Sequence, residues 1–427
     1  MRTLYWVACL GLLPAWAWGQ GFNRHYDAYG AHFAQGSYGL EHSDSGYMIL
    51  SGSYEPDTIT PDSILGIFVI VLQQIDSEGN VTLEKRLHYP EHSIFLGWAD
   101  CCDSTSSDGG FIVGGSSQSF SDVLEARLMR LTSTGDTLWT RSYGGAGQYW
   151  IGSQVKQTMD GGFVICGFTD ASGVIDGFAL KTDSTGVEQW RQTYGLSSIA
   201  DDFSCIAMVS NGYLFAGATT PAYGNTDFLL ARTDSVGTQV WIRHYGGLFK
   251  EPNPSLLVLS DGRVLMSGAW AMDAAGWETP YVAFVDPSNG DVISSHLYGS
   301  PEYGRTIFAT KQFPNSDIIH CGVTYDGGQE QGLLLRTTSD GDSLWMRTYW
   351  YYDSLVPQGQ GRFWDVLPTA DGGCIASGFA NNPFNGPYPP GYSQDAWVVK
   401  VDSMGCIVPG CDGVGITEQV TNLAGAL

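Results

Sequence analysis

Apolar residues in this chain gather into short runs in which polar residues recur at alternate positions, and glycine-rich turns close the runs. FVICGF at 163 to 168 follows Asp160-Gly161; a loop through Asp176 leads to FALKTD, a turn at Ser184 to Gly186, and EQWRQTY. With the run at 150 to 158 in front, these segments read as four strands joined by tight turns. Asp-Gly and Ser-x-Gly suit such turns because Gly takes positive φ without steric cost and Asp or Ser caps the free backbone. No segment holds the 3.6-residue period of an amphipathic helix.

The unit recurs. DGGFIVGG at 108, DGGFVICG at 160, NGYLFAGA at 211 and DGGCIASG at 371 are copies of one strand. LMRLTSTGDTLWTRSYGG from 128, ALKTDSTGVEQWRQTYG from 179, LLARTDSVGTQVWIRHYGG from 229 and LLRTTSDGDSLWMRTYW from 334 are copies of a later hairpin. Weaker copies begin at 44, 260 and 315. The turn glycines 79, 135, 186, 237, 290, 341 and 405 are separated by 56, 51, 51, 53, 51 and 64 residues, which makes seven copies. Four-stranded units repeated at ~40 to 50 residues predict an all-β, seven-bladed β-propeller of antiparallel blades. The seventh copy runs from VVKVDSMG into CIVPGCDG and lacks its outer strand. FNRHY at 22 to 26 has the missing pattern, with Phe22 in the Trp place and Tyr26 in the Tyr place. Residues 22 to 26 are therefore expected to pair with the strand around Trp397 to Val401 and close the ring, which removes a sheet edge and ties down both ends.

Composition agrees with many strands and tight turns: 56 Gly, 14 Trp, 22 Tyr and 19 Phe, with only 15% charged residues. The first 19 residues, MRTLYWVACLGLLPAWAWG, read as a secretory signal peptide, with one Arg, an apolar stretch, and Ala17 and Gly19 ahead of Gln20. The propeller then spans 20–405 and a tail or linker 406–427. Net charge is −24, and removing Arg2 with the signal makes it −25. So acidic a surface repels phosphate backbones, and nucleic acid is not an expected partner. No later run is long and apolar enough to be read as a membrane-spanning helix, so a secreted or cell-surface monomer is expected. Eight cysteines follow the signal. Cys406 and Cys411 are the disulfide candidate, because Pro409 and Gly410 fold GCIVPGC back on itself. Cys166 and Cys321 read as small buried thiols before a Gly. Zinc-site spacing is absent, and no metal is expected.

The phrase from Asp183 to Trp190, and again from Asp234 to Trp241, is similar to the tryptophan-docking motif of quinoprotein dehydrogenase propellers, one residue short before the Gly. It also resembles the Asp-box of sialidases, with wider spacing. Both motifs are structural in their own families. Over nearly the whole chain, the signal, the DGG strands, the D-S-x-G turns, W-x-x-x-Y-G-G and the ending VDSMGCIVPGCDGVGITEQVTNL resemble secreted propeller proteins of Bacteroidetes that carry a C-terminal sorting domain for type IX secretion. That resemblance implies export and surface display. The sequence ends at Leu427, where the sorting domain would begin.

No catalytic signature is present: no G-x-S-x-G, HExxH, P-loop lysine or EF-hand run. His25, His88 and His244 read as one solvent-facing place before the outer-strand Tyr. Most acids recur in the turns (Asp108, Asp160, Asp183, Asp234, Asp261, Asp371, Asp402) and read as caps; Trp139, Trp190, Trp241 and Trp345 read as packing between blades. Function then falls to what departs from the repeat. Three enlarged aromatic loops, 269–281, 350–364 and 379–392, nominate Trp270, Trp277, Trp350, Tyr351, Tyr352, Phe384, Tyr388 and Tyr392 as ligand-binding rings on one side of one face. Rings flanked by Asn, Gln and Asp suit stacking on sugars or anchoring a protein. The expectation is a non-catalytic module for a glycan, extracellular polymer or extracellular protein, with no cofactor. The alternative is a hydrolase, lyase or quinoprotein-like oxidoreductase with acids converging on the central channel.

Overall fold

A computed structural model describes residues 21–26, 34–43, 46–56, 66–89, 92–119, 123–145, 147–195, 200–222, 225–251, 254–272, 277–299, 304–326, 328–353, 356–382, 393–408 and 411. Seven antiparallel sheets follow one another around a ring. In order from the inner strand outward, blade 1 is Ala34–Ser43, Gly46–Pro56, Gly66–Ile75 and Val81–Leu87. Blade 2 is His92–Leu96 with Cys102–Ser104, then Phe111–Ser119, Leu124–Leu131 and Thr137–Tyr143. Blade 3 is Trp150–Gln157, Phe163–Thr169, Asp176–Thr182 and Glu188–Tyr194. Blade 4 is Ala200–Asp201 with Cys205–Val209, then Gly212–Ala222, Asn225–Asp234 and Gln239–Tyr245. Blade 5 is Ser255–Val258, Val264–Ala271, Glu278–Val285 and Val292–Leu297; blade 6 is Gly304–Gln312, Ile318–Asp326, Gln329–Thr337 and Ser343–Tyr349. Blade 7 is Val356–Pro368, Cys374–Asn382 and Ser393–Val401, and its outer strand is Phe22–Tyr26. Among the described residues no helix is long and apolar enough to cross a membrane, which says nothing of a β-barrel.

The N-terminal strand closes the ring as the repeat predicts. Phe22 lies opposite Lys400, His25 opposite Trp397 and Tyr26 opposite Ala396. The closure also reproduces the contact that every strong copy makes with the blade ahead. Tyr143, Tyr194, Tyr245, Tyr298 and Tyr349 each donate their hydroxyl to the carbonyl of the next blade's turn glycine, at 2.5 to 2.8 Å. Tyr26 does the same to Gly79 of blade 1, at 2.8 Å. The Trp places of blades 2, 3, 4 and 6 lie against those glycines, and Phe22 lies against Gly79. A positive φ of 80° at Gly79 lets the turn expose its carbonyl there. Blade 1 breaks the pattern. Leu87 takes the Tyr place, opposite Ile70, so His88 lies beyond the strand and is not the twin of His25 and His244.

Each blade buries its two faces against its neighbours. Seven clusters, one per seam, hold most of the apolar core, and an eighth of Ala99, Phe308, Val323, Trp364 and Phe379 sits at the axis. The turn acids have a role beyond capping: Lys181 reaches Asp160 at 3.0 Å, Arg336 reaches Asp317 at 2.8 Å, Lys400 reaches Asp371 at 2.5 Å, and Arg130 reaches Asp108. Each cation comes from the third strand of the same blade, so the turn is pinned to its own sheet. In blades 1 to 6 the outer strand carries a bulge just before or near the Trp place. Bulges twist an exposed edge away from flat pairing and so discourage edge-to-edge association.

Candidate functional site

The predicted rings separate into three groups. Trp270 is 8% exposed and Tyr351 3% exposed. Trp270 packs against Tyr281 and Phe228 in the seam of blades 4 and 5, with centroids 4.9 and 6.4 Å apart. Tyr351 takes the edge of His25 at 5.2 Å. Neither is an open platform, because the strands bearing them turn their side chains into seams. Trp350 is half-buried, and its carbonyl accepts a hydrogen bond from Asn23 at 2.9 Å, so this loop serves the closing strand. Trp277 is 43% exposed. Tyr352 lies in the strand Tyr351–Asp353 with its side chain outside the described residues, as are Phe384, Tyr388 and Tyr392 entirely. Cys406 and Cys411 form the expected disulfide, with Cα atoms 5.7 Å apart. Beside it a pocket of about 480 Å³ opens against the outer strand of blade 6, lined by Met346, Arg347, Tyr349, Ile407 and Val408.

A further departure from the repeat lies at the axis. The inner strand of blade 2 breaks after Leu96 and resumes at Cys102, and residues 97–101, GWADC, leave the sheet between. The excursion is tied at both ends. Gly97 N–H donates to Gly114 at 3.0 Å, Trp98 N–H crosses to Ser153 of blade 3 at 2.9 Å, and Gly114 N–H returns to Cys101 at 2.9 Å. Asp100 takes φ of 57°, a left-handed conformation that L-residues other than Gly rarely adopt and that surrounding contacts must hold.

Those contacts are ionic and reach across the ring. Lys156 of blade 3 meets Asp100 at 2.9 Å, and Lys311 of blade 6 meets its other oxygen at 2.7 Å. Gln154 donates to Asp100 at 3.0 Å and accepts from the Ile206 N–H of blade 4 at 2.6 Å. Burial pushes the Asp100 carboxyl up, but the two lysines outweigh it and hold it below the usual carboxylate range. Glu41 of blade 1, with less compensation from Lys311, is pushed by burial up to about 8. Asp365 of blade 7 is raised to about 7 by burial and by the Asp100 charge. Asp365 accepts from Leu40 N–H at 2.9 Å and Val366 N–H at 2.8 Å. Asp100 and Asp365 thus have their oxygens committed to lysines and backbone amides. These contacts draw on six of the seven blades and leave neither acid poised as a general base.

Beside the charges lies an aromatic well. Trp364 packs on Phe308 with centroids 4.3 Å apart and takes the edge of Trp98 at 5.4 Å. Trp98 is 43% exposed. Arg362 stands 5.5 Å from the Trp364 ring and 5.3 Å from Phe379, held by a two-pronged pair with Glu330 whose Nε–Oε2 arm is 3.0 Å. Tyr325 packs at the edge of the well, and it and Trp277 flank Gly304, whose Cβ would stand 3.3 and 3.8 Å from them. The predicted Trp277 therefore borders this well. Trp98, Phe308, Tyr325, Glu330 and Arg362 escaped the sequence reading, and Trp364 was seen only as the end of a loop. A signal was present, since the 56-residue spacing across blade 2 exceeds the common 51. Among the described residues no three His, Cys, Asp or Glu side chains converge as metal ligands.

Neither a protein-family model nor a curated protein matches this sequence. Three solved structures are among those it resembles at a distance. A Bacteroides caccae protein of unknown function matches at 13% identity with a TM-score of 0.37, over 66% of this chain and 89% of its own. The Neurospora crassa Pan2 WD40 domain matches at 11% identity and TM-score 0.47, over 90% and 91%. The polysaccharide lyase Uly1 matches at 9% and 0.48, over 89% and 92%. Likenesses this distant carry no argument, and no function is transferred from them.

Proposed function

We propose that this chain is an exported, non-catalytic binding module that takes an extracellular glycan or glycan-bearing polymer at the axial aromatic well. The observation that carries the reading is the 97–101 excursion. A segment that leaves its sheet, adopts a costly backbone and is held by cross-ring ion pairs delivers one half-exposed indole, Trp98, to the edge of Trp364. The exposed Trp98 ring and the fixed Arg362–Glu330 pair, on either side of the buried Trp364, supply what a sugar needs from a protein, a stacking face and hydroxyl partners. Trp277 extends the platform outward. Export rests on the leader of residues 1–19, and surface display on the resemblance to sorting-domain propellers. Asp100 and Asp365 are engaged in structure, which favours binding over hydrolysis or elimination.

A glycan array probed with wild type, Trp98→Ala and Trp277→Ala tests this. Trp98→Ala is expected to weaken binding about tenfold, the equivalent of ~1.4 kcal/mol of stacking and burial. Equal binding by wild type and Trp98→Ala removes the proposal, as does array-wide silence alongside capture of a defined extracellular protein.

A further inference from the structure

The charges around the aromatic well narrow the kind of sugar it accepts. Trp277 immediately precedes the third strand of blade 5 and Glu278 begins it, and both reach the inner strand of blade 6. The Trp277 ring lies beside Gly304, whose other neighbour is Tyr325. Glu278 accepts a hydrogen bond from the Thr306 hydroxyl. Thr306 lies opposite Val323, a member of the axial cluster, so this carboxylate is held beside the well.

The two carboxylates of the well are not alike. Glu330 is matched by Arg362 in the two-pronged pair. Glu278 is half-buried and, among the described residues, has no cation within ion-pair distance and no hydrogen bond beyond that of Thr306. Arg305, next to Thr306 in the chain, lies against Gly299, and Lys156 and Lys311 are committed to Asp100. One guanidinium and two carboxylates thus leave a negative charge over at the well, in a chain whose formal net charge is −24. Indole and phenol rings add to this, because they present the negative face of their quadrupole to whatever stacks on them. A protonated amine gains from both the rings and the unmatched carboxylate; a uronate or sulfate ester is repelled by both, and a neutral amide gains from the rings alone.

We infer, resting on the glycan reading above, that the well selects amino sugars whose nitrogen is free and protonated, with Glu278 recognising the ammonium and the Trp98 and Trp277 indoles serving as stacking faces. Glu278 Oε2 is taken by Thr306, which leaves Oε1 to accept from the ammonium. Both indoles are 43% exposed, so a sugar can lie on either. N-acetylation removes the charge and adds bulk at the nitrogen, so the acetylated form of the same polymer loses the ionic contact and keeps only stacking.

The test is calorimetric titration of the intact protein with three oligomers of equal length, a β-1,4-linked glucosamine, its N-acetylated counterpart and a β-1,4-linked uronate, at mildly acidic pH and low salt. The free-amine oligomer is expected to bind about tenfold more tightly than the acetylated one, and the uronate not to bind. Glu278→Gln keeps the Thr306 hydrogen bond through its amide oxygen but removes the charge, so it should cut the tenfold preference to about twofold or less. Salt at about 0.5 M should do the same to wild type. The inference is overturned, with the glycan reading intact, if the acetylated or uronate oligomer binds as tightly as the free amine, or if Glu278→Gln keeps the preference. It falls as well if a lysine oligomer of equal charge competes as effectively as the amino sugar, since charge alone is then being read. Silence of all three oligomers also overturns it, whereas only silence across the whole glycan array reaches the glycan reading itself.

Discussion

If residues 22–26 are the outer strand of blade 7 and not a leader to blade 1, Phe22 and Tyr26 should behave energetically like the Trp and Tyr of internal blades. Phe22 is buried against Gly79, and Phe→Ala in a core costs about 3–5 kcal/mol; this peripheral seam belongs at the lower end, about 3 kcal/mol. Tyr26→Phe removes one hydroxyl donor. The Gly79 carbonyl still accepts from Arg24 at 2.8 Å, so no acceptor is orphaned and the cost is about 1 kcal/mol. Tyr194→Phe removes the same bond in the middle of the ring, to Gly237 at 2.7 Å, and should cost about as much. Urea melts of the three variants would be compared with Val240→Ser, an exposed outer-strand control. A second readout is the environment of Trp397, which is fully buried, stacked on Phe363 at 4.5 Å and donates to Asn23 at 2.6 Å. Loosening the strand should expose that indole and shift emission to the red. The reasoning fails if Phe22→Ala melts with the Val240→Ser control, or if Tyr26→Phe is silent where Tyr194→Phe is not.

Three further outcomes follow, the first two from buried groups. Glu41 has its folded pKa raised to about 8 from 4.5, so its contribution to stability is present below about 4.5 and is lost as pH rises through about 8; Glu41→Gln should match wild type near pH 4 and exceed it in Tm by pH 9, and equal Tm curves would refute the burial of that acid. Cys101, Cys102, Cys166, Cys205, Cys321 and Cys374 are all buried free thiols, five of them in strands or at strand ends of the seams and axis, so a thiol-reactive dye should label none of them before unfolding, whereas Cys411→Ser should cost about 2 kcal/mol through loss of the small closed loop.

The architecture was legible in the sequence because it depends on local chemistry repeated seven times. Glycine turns, two-residue alternation and the spacing of Trp and Tyr each constrain a few neighbouring residues, and their recurrence fixes blade number and strand order without long-range information. Even the ring closure could be read, since FNRHY carries a pattern that the last copy lacks. The disulfide of Cys406 and Cys411 was equally local. The candidate site was not. Trp270 and Tyr351 look like loop aromatics in one dimension, yet they point into seams, because which face of a strand meets a neighbouring blade depends on register across the sheet. Asp100, Lys156 and Lys311 stand in three copies, up to 211 residues apart, and nothing in any one of them marks it as a partner of the others. The sequence by itself determined the repeated unit and its count. Only the tertiary structure decided which side chains converge at the axis and in the seams, because convergence follows from closing the ring, where burial and charge act through space and not along the chain.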